Sequence, residues 1–588
     1  MKYTNGNYEC LARPRKPLNV ENKKAYIIGG GLAGLAAAKF LIRDAYMDPK
    51  NITIFEKESI LGGGCDGKMV HEHVYLCRGG REMEDHFECL WDLFSSVPSV
   101  EFEGQSVLDE YYYLDHDSPV SSPMRVTEKQ GKNAHVLHKY TLSDKALLEL
   151  SNLVLTPEEG LANKRINDVF SEDFFKSNFW CLWRTMFAFE EWHSAIEMRR
   201  YLTRFIHHTQ DISDLSCLKF GRYNTYDSFI LPLSEDLKKL GVNFVNSTTV
   251  DNVIFDIKNS KKVAKEILLN QNGINKTLKL TEDDLVFITL GSNTEESTLG
   301  DNDTPAVMSK NIGASWKLWD NIAAQCSEFG NPMVFHGNTK ESNWESATVT
   351  CFDDVIPNII KNQIGRSCDS GKIVTGGPIT QRDSSWLISW TVSRQPHFKA
   401  QKPGEIVLWL YGLFSDVKGD YIKKTMEECT GREIVQEWLY HMGVDSSKIE
   451  EVSKHCNVIP CMMPYCTSYF MNRKIEDRPK IVPNNAVNFA FIGEHVETPR
   501  DCVFTTEFAV RTGMEAVYSL IDIERGVPEV FGSIFDVRCL LKTGHELMEG
   551  RKLTDLQLPF IEKVGLKVAL KKLKGTEIEK MLKENKLI

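Results

Sequence analysis

The chain has 588 residues, of which 42% are hydrophobic. That length calls for two to four domains, since one hydrophobic core stops growing near about 250–300 residues. A net charge of −11 argues against nucleic acid as a partner, and no apolar run of about 18 residues offers a membrane span. Fifteen cysteines without a CxxC pair read as reduced thiols in a cytoplasmic protein.

Residues 1–22 read as a polar arm without a secretory signal. Residues 23–110 read as the first part of a dinucleotide-binding domain. The apolar strand Tyr26-Ile27-Ile28 runs into Gly29-x-Gly31-x-x-Gly34, and a helix through Ala33 and Ala36 follows. A second strand, Ile52 to Phe55, then ends in the acid Glu56. This is the strand–turn–helix–strand context that the dinucleotide fingerprint requires, with the acid about 20 residues beyond the glycines. Gly29 makes the tight turn, Gly31 admits a pyrophosphate, and Gly34 lets helix and strand pack closely. The helix start presents free N–H groups to the phosphates, and Glu56 is placed for a ribose hydroxyl.

The cofactor expected is FAD rather than NAD. A glycine cluster, Gly62-Gly63-Gly64-Cys65-Asp66-Gly67, follows the second strand. Two distant strands return small residues to the same place: Leu285–Leu290 before Gly291-Ser292, and Asn488–Ile492 before Gly493-Glu494. A helical run from about Thr505 to Ser519 follows the latter. No second strand-GxGxxG-helix unit is present, which counts against a reductase using two nucleotides.

Next comes Cys77-Arg78-Gly79-Gly80-Arg81-Glu82-Met83-Glu84-Asp85, a glycine-flanked Arg–Glu pair just before a helix expected to start near Glu84. Acids there also suit a helix N-terminus. Residues 111–212 read as a helical insertion in a substrate domain, in which Met198, Tyr201 and Phe205 share a face. His207 and His208 are adjacent and on a helix point in different directions, so no metal site is expected. Residues 213–304 read as the second part of the FAD domain and 305–483 as the substrate-binding domain, with aromatic strands such as Ser385 to Trp390. Residues 484–525 close the FAD domain. Residues 526–588 read as basic amphipathic helices: from 551 on they hold ten Lys/Arg against five Asp/Glu, and Leu566, Val568, Ala569, Leu570 and Leu573 interleave with lysines. Such a tail can lie on an anionic membrane surface. The fold class expected is α/β: a Rossmann-like FAD-binding domain built from discontinuous segments, a mixed α+β substrate-binding domain and a helical C-terminal tail.

Four segments together resemble the bacterial oleate hydratases, FAD-containing fatty acid hydratases once called myosin-cross-reactive antigens. They are Arg78-Gly79-Gly80-Arg81-Glu82-Met83, Arg199-Arg200-Tyr201, Tyr226-Asp227-Ser228 and Arg394-Gln395-Pro396-His397. The resemblance covers essentially the whole chain. It implies addition of water to an isolated cis double bond of a free unsaturated fatty acid, giving 10- or 13-hydroxy acids. Glu82 would activate the water and Tyr201 would protonate the alkene. It further implies a flavin that organises the Gly79–Met83 loop without net redox change, an apolar tunnel lined by aromatic strands such as Trp386 to Trp390, a homodimer, and attachment to the inner face of the cell membrane.

Thr391, Ser393 and His397, with Thr225, match positions that hold the substrate carboxylate. Family members commonly carry Gln where Thr225 stands and Asn where Ser393 stands. These shorter side chains leave more room there, so the acyl chain is expected in a different register, with hydration at carbon 13 or acceptance of longer polyunsaturated acids. Two other readings share the dinucleotide motif: a redox flavoenzyme acting on lipids, such as a desaturase or isomerase, and a non-catalytic fatty-acid-binding flavoprotein. The redox reading does not account for Glu82 and Tyr201 in these contexts, and the binding-protein reading predicts normal function after Glu82→Ala and Tyr201→Phe.

Overall fold

The computed structural model describes every residue except 1, 6, 66, 137 and 138, and only the backbone of residues 7 and 10; Asp66 of the glycine cluster therefore lies outside the described residues. A five-stranded parallel sheet runs in the order Phe489–Ile492, Asp284–Thr289, Lys24–Ile28, Ile52–Phe55, Asn243–Val245. Its strands come from three distant stretches of chain, as the expected Rossmann-like fold requires. Parallel strands are covered on both faces and read as apolar runs; Ala25, Ile27, Ile54, Phe287 and Phe491 are fully buried.

Glycines set how closely the flanking helices approach. A Cβ on Gly34 would lie 2.2 Å from the Gly29 carbonyl oxygen, so the helix Leu32–Arg43 can rest on the turn only with glycine there. Helix Thr506–Ile521 packs on that helix through Gly513, where a Cβ would lie 2.8 Å from the Ala33 carbonyl oxygen. Its N-terminus is capped by the Thr505 hydroxyl, which accepts from the Phe508 N–H.

An eight-stranded mixed sheet forms the second layer system, in the order Thr298–Leu299, Cys456–Met463, Trp344–Cys351, Ile406–Gly412, Ile388–Thr391, Ile379–Gln381, Val126–Glu128, Lys132–Asn133. One aromatic cluster contains Trp386, Trp390 and Trp438, another Trp344, Trp409 and Tyr411. The Trp386–Trp390 segment, expected to line a tunnel, is core instead. Trp390 meets Trp438 edge-on at 5.6 Å, and the Trp386 indole donates to the Val417 carbonyl oxygen. An aromatic strand buried on both faces reads the same in sequence as one facing a cavity.

Helix Ala195–Phe205 buries charged as well as apolar side chains: Glu197, Arg200 and Arg204 as well as Ile196, Met198, Tyr201 and Phe205. Buried charge is tolerated when paired. Here Glu197 meets Arg473 at 2.7 Å and Arg478 at 3.1 Å, and Arg200 meets Glu158 at 2.7 Å.

The tail forms helices Val537–Leu547, Phe560–Leu573 and Glu577–Glu584. The apolar stripe expected there divides between two faces. Leu570 and Leu573 pack against the protein core. Phe560 and Ile561, 82% and 80% exposed, face outward together with Val564 and Val568. No helix among the described residues is long and apolar enough to cross a membrane.

Candidate active site

Two cavities meet at the Arg78–Met83 loop. The larger, about 530 Å³, is walled by the fingerprint. Gly29, Gly31, Ala33, Glu56 and Gly63 line it, and Ser292, Gly493 and Glu494 close it from the two distant strands. Gly34, by contrast, lies between helix and turn.

The backbone of this cleft fits a dinucleotide. Gly29 has φ +102°, in the left-handed region that favours glycine. The Gly62 N–H donates to the Gly30 carbonyl oxygen at 2.9 Å, folding the glycine cluster onto the first turn. A Cβ on Gly63 would sit 3.3 Å from the Gly31 Cα and crowd this cradle. The Glu56 carboxylate accepts from the Gly30 and Glu58 N–H groups, both at 2.8 Å, which fixes it at the cleft wall. The Thr289 hydroxyl is buried there without a partner.

The smaller cavity, about 80 Å³, is apolar. Gly80, Arg81, Glu82 and Met83 form one wall, Tyr201 and Phe205 another, with Phe179, Trp183 and Phe187 beyond. Glu82 and Tyr201 thus share one apolar space, and Arg81 lines both cavities. The Arg81 guanidinium donates to the Gly64 carbonyl oxygen at 3.1 Å and lies over the Phe504 ring at 4.6 Å. Gly79 lines neither cavity but makes the loop possible, with φ +141° and a Cβ position only 2.7 Å from an Arg81 nitrogen. The helix expected from near Glu84 begins at Glu88, because Glu84 is drawn away into an ion pair.

Burial pushes the Glu82 carboxyl up, although Arg81 and Arg125 oppose the rise. Burial also drives the Tyr201 phenol well above its ordinary value. Its hydroxyl donates to the Val503 carbonyl oxygen at 2.5 Å. The cavity therefore sets a carboxyl whose affinity for protons is raised opposite a phenol that stays protonated.

Thr225, Thr391, Ser393 and His397 line neither cavity. The Thr391 hydroxyl meets that of Thr375 at 2.9 Å. The His397 carbonyl oxygen accepts from the Asn224 N–H at 2.8 Å, which brings the 224–228 turn against the 391–398 segment. Burial lowers the His397 imidazole to about 4.

His207 and His208 do not diverge as expected. They lie on a tight turn, Ile206–His208, with ring centroids 3.9 Å apart, and both approach Glu84. Burial works against a charged ring, but Asp211, Cys217 and Glu84 raise His208 to about 11. The Glu84 carboxyl, despite its own burial, is held well below the usual range by His207, His208 and Arg204.

Sequence reasoning missed Arg204, Asp501 and Val503, and read Glu84 only as an acid at a helix N-terminus. Only Arg204 left a signal, a third arginine in a helix that is otherwise largely apolar; the others act through partners more than a hundred positions away.

Fold and site together define an α/β protein with a Rossmann-like dinucleotide-binding fold, in which Glu82 and Tyr201 line one apolar cavity. The chain belongs to the MCRA family, whose model matches residues 22–518. It is 48% identical over its full length to the whole of the oleate hydratase of Streptococcus pyogenes serotype M49 (strain NZ131). It is 31% identical over 84% of its length to the linoleate hydratase of Lactiplantibacillus plantarum, covering 93% of that protein. The chain is accordingly an enzyme of the hydratase, or hydro-lyase, type, in agreement with the resemblance drawn from the Arg78–Met83 loop and the three other segments together.

Proposed function

We propose that this chain adds water to an isolated cis double bond of free unsaturated fatty acids, oleate and linoleate among them, to give 10- or 13-hydroxy acids. The observation that carries this reading is the convergence of Glu82 and Tyr201 on one apolar cavity beside the dinucleotide cleft. An unactivated alkene is a poor base, so an acid must be held against it away from water. The Tyr201 phenol gives its proton to one alkene carbon. Water attacks the neighbouring carbon as positive charge builds there, and the Glu82 carboxylate takes the water's proton. The aromatic faces around Tyr201 and the Glu82 charge stabilise that developing cation. A proton then passes by way of solvent from the Glu82 carboxyl to the Tyr201 phenolate, restoring both, so the sum is one water added.

The cleft suits FAD, held by the Gly29–Gly34 turn, Glu56, Ser292, Gly493 and Glu494. Bound there, FAD supplies charge and order beside the Gly79–Met83 loop with no net redox change. Thr391, Ser393 and His397 are assigned to the substrate carboxylate. A neutral His397 ring at physiological pH suits that role, since it can still donate one N–H. With the short Thr225 and Ser393 at that end, the double bond nearer the methyl end reaches Tyr201. The outward Phe560, Ile561, Val564 and Val568, flanked by Lys563, Lys567, Lys571 and Lys572, give the tail a face for an anionic membrane surface. The enzyme works as a homodimer at the inner face of the cell membrane.

Oleate incubated with the FAD-loaded, reduced enzyme should gain the mass of one water. Flavin reduction driven by the lipid alone, with loss of hydrogen from it, would replace this reading with a redox one.

A further inference from the structure

Among the pieces of chain around the reaction cavity are three that carry or touch the reacting groups: the 80–84 loop with Glu82, the helix Ala195–Phe205 with Tyr201, and the 501–506 segment with Val503 and Phe504. Their relative placement depends on side chains. Arg204 lies three residues from Tyr201 on the same helix, with its side chain 1% exposed, and it reaches the other two pieces. Its Nη2 lies 2.9 Å from Glu84 Oε1 and donates to the His86 carbonyl oxygen at 2.6 Å. Its Nε lies 3.5 Å from Asp501 Oδ1.

These partners adjoin the reacting groups. Glu84 is two positions past Glu82. Asp501 is two positions before Val503, which accepts the Tyr201 hydroxyl. Each partner is itself anchored. Glu84 Oε2 accepts from the His86 N–H at 2.7 Å and the Glu84 carbonyl oxygen from the Trp91 indole at 3.0 Å, while Asp501 pairs with Arg511 at 3.1 Å. Both carboxylate contacts are ion pairs, and the directed donation goes to the His86 carbonyl oxygen; the guanidinium reaches one acid with Nη2 and the other with Nε, two places that a single lysine ammonium cannot occupy at once.

We propose that Arg204 is a positioning residue for the hydration: tied to Glu84 and Asp501, it holds Glu82 and Tyr201 at the separation that a water molecule and an alkene carbon require. This rests on the roles given to Glu82 and Tyr201 above.

The test is Arg204→Lys, which keeps the charge and loses the fork. The variant should fold and bind FAD as the wild type does, judged by circular dichroism and flavin fluorescence. Its kcat on oleate should fall by about tenfold or more, because small misplacements of reacting groups are costly, while KM stays within about twofold. Its crystal structure should show the 80–84 loop displaced from Tyr201. An unchanged kcat per flavin-loaded molecule, or an unmoved loop, overturns the proposal. If Arg204→Lys does not fold, the double variant Glu84→Gln with Arg204→Met, which leaves Asp501 paired with Arg511, should show the same loss of kcat and the same displacement; wild-type kcat there overturns the proposal. A wild-type enzyme that makes no hydroxy acid refutes the hydration reading itself, and the loop position in the Arg204→Lys structure then still decides whether Arg204 sets the geometry.

Discussion

The Tyr201 hydroxyl donates to the Val503 carbonyl oxygen at 2.5 Å, inside a ring of Phe187, Phe189, Phe205 and Phe470 whose centroids lie 5.0–5.7 Å from its own. The phenol is thus kept protonated among apolar rings, and in the proposed role its proton rests on Val503 until a substrate takes that place. Tyr201→Phe keeps the ring and removes the proton. Hydration should fall by roughly 10²–10⁴-fold, the usual worth of general acid catalysis. Thermal stability should drop by only about 1–3 kcal/mol, from the unpaired Val503 carbonyl. Turnover on saturating oleate and a melting curve check both.

In the proposed role Glu82 is ionised when it takes a proton from water, and burial raises its carboxyl above the ordinary value. Activity should therefore rise with pH through a midpoint above the usual carboxylate range. Tyr201 stays protonated beyond its ordinary value of about 10, so it adds no alkaline fall near neutrality. In Glu82→Gln the pH profile should be flat and low. A wild-type midpoint near about 4 would remove the special environment claimed for this group.

Glu345 lies in the strand Trp344–Cys351, fully buried, and both its carboxylate oxygens lack a hydrogen-bond partner. Burial raises its pKa well above the ordinary carboxyl, reinforced by Glu427. The folded protein holds this proton and the unfolded chain releases it above about 4.5. The group therefore favours folding at acid pH and loses that contribution as pH rises, at up to about 1.4 kcal/mol per unit. Glu345→Gln should melt at a higher temperature than wild type at pH 8, with the difference shrinking toward pH 5. A constant difference across that range would contradict the assignment.

The tail makes a separate claim. Replacing Phe560 and Ile561 by Ser, and Lys571 and Lys572 by Glu, should lower co-sedimentation with anionic phospholipid vesicles by about tenfold or more, since each lysine near such a surface is worth about 1 kcal/mol. All four side chains point away from the core, so the melting temperature and turnover on dispersed oleate should stay unchanged.

The parts of this protein governed by local rules were legible in sequence. The Gly29–Gly34 turn, Glu56 and the returning strands before Ser292 and Gly493 follow from short-range backbone requirements, and they meet at one cleft. Glu82 and Tyr201 were legible through the segments they sit in, but their shared cavity was not, because it depends on helices packing across long sequence separations. Three expectations failed for related reasons. Trp386 and Trp390 proved to be core, since an apolar strand does not announce which surface it faces. His207 and His208 converged because both rings reach the same buried carboxylate, Glu84. The helix after the Arg78–Met83 loop starts late because Glu84 is bound by Arg204, a partner 120 positions away that no local pattern indicates.

The most direct measurement is a single incubation of the FAD-loaded, reduced enzyme with linoleate in heavy-oxygen water, followed by mass spectrometry to locate any new hydroxyl. The account predicts a hydroxy acid carrying solvent oxygen, with no extra unsaturation and with hydroxyl at carbon 13 as well as carbon 10. Unlabelled product, or a lipid that has lost hydrogen while reducing the flavin, would contradict hydration. Labelled hydroxyl confined to carbon 10 would keep the hydratase and remove the shifted register assigned to Thr225 and Ser393.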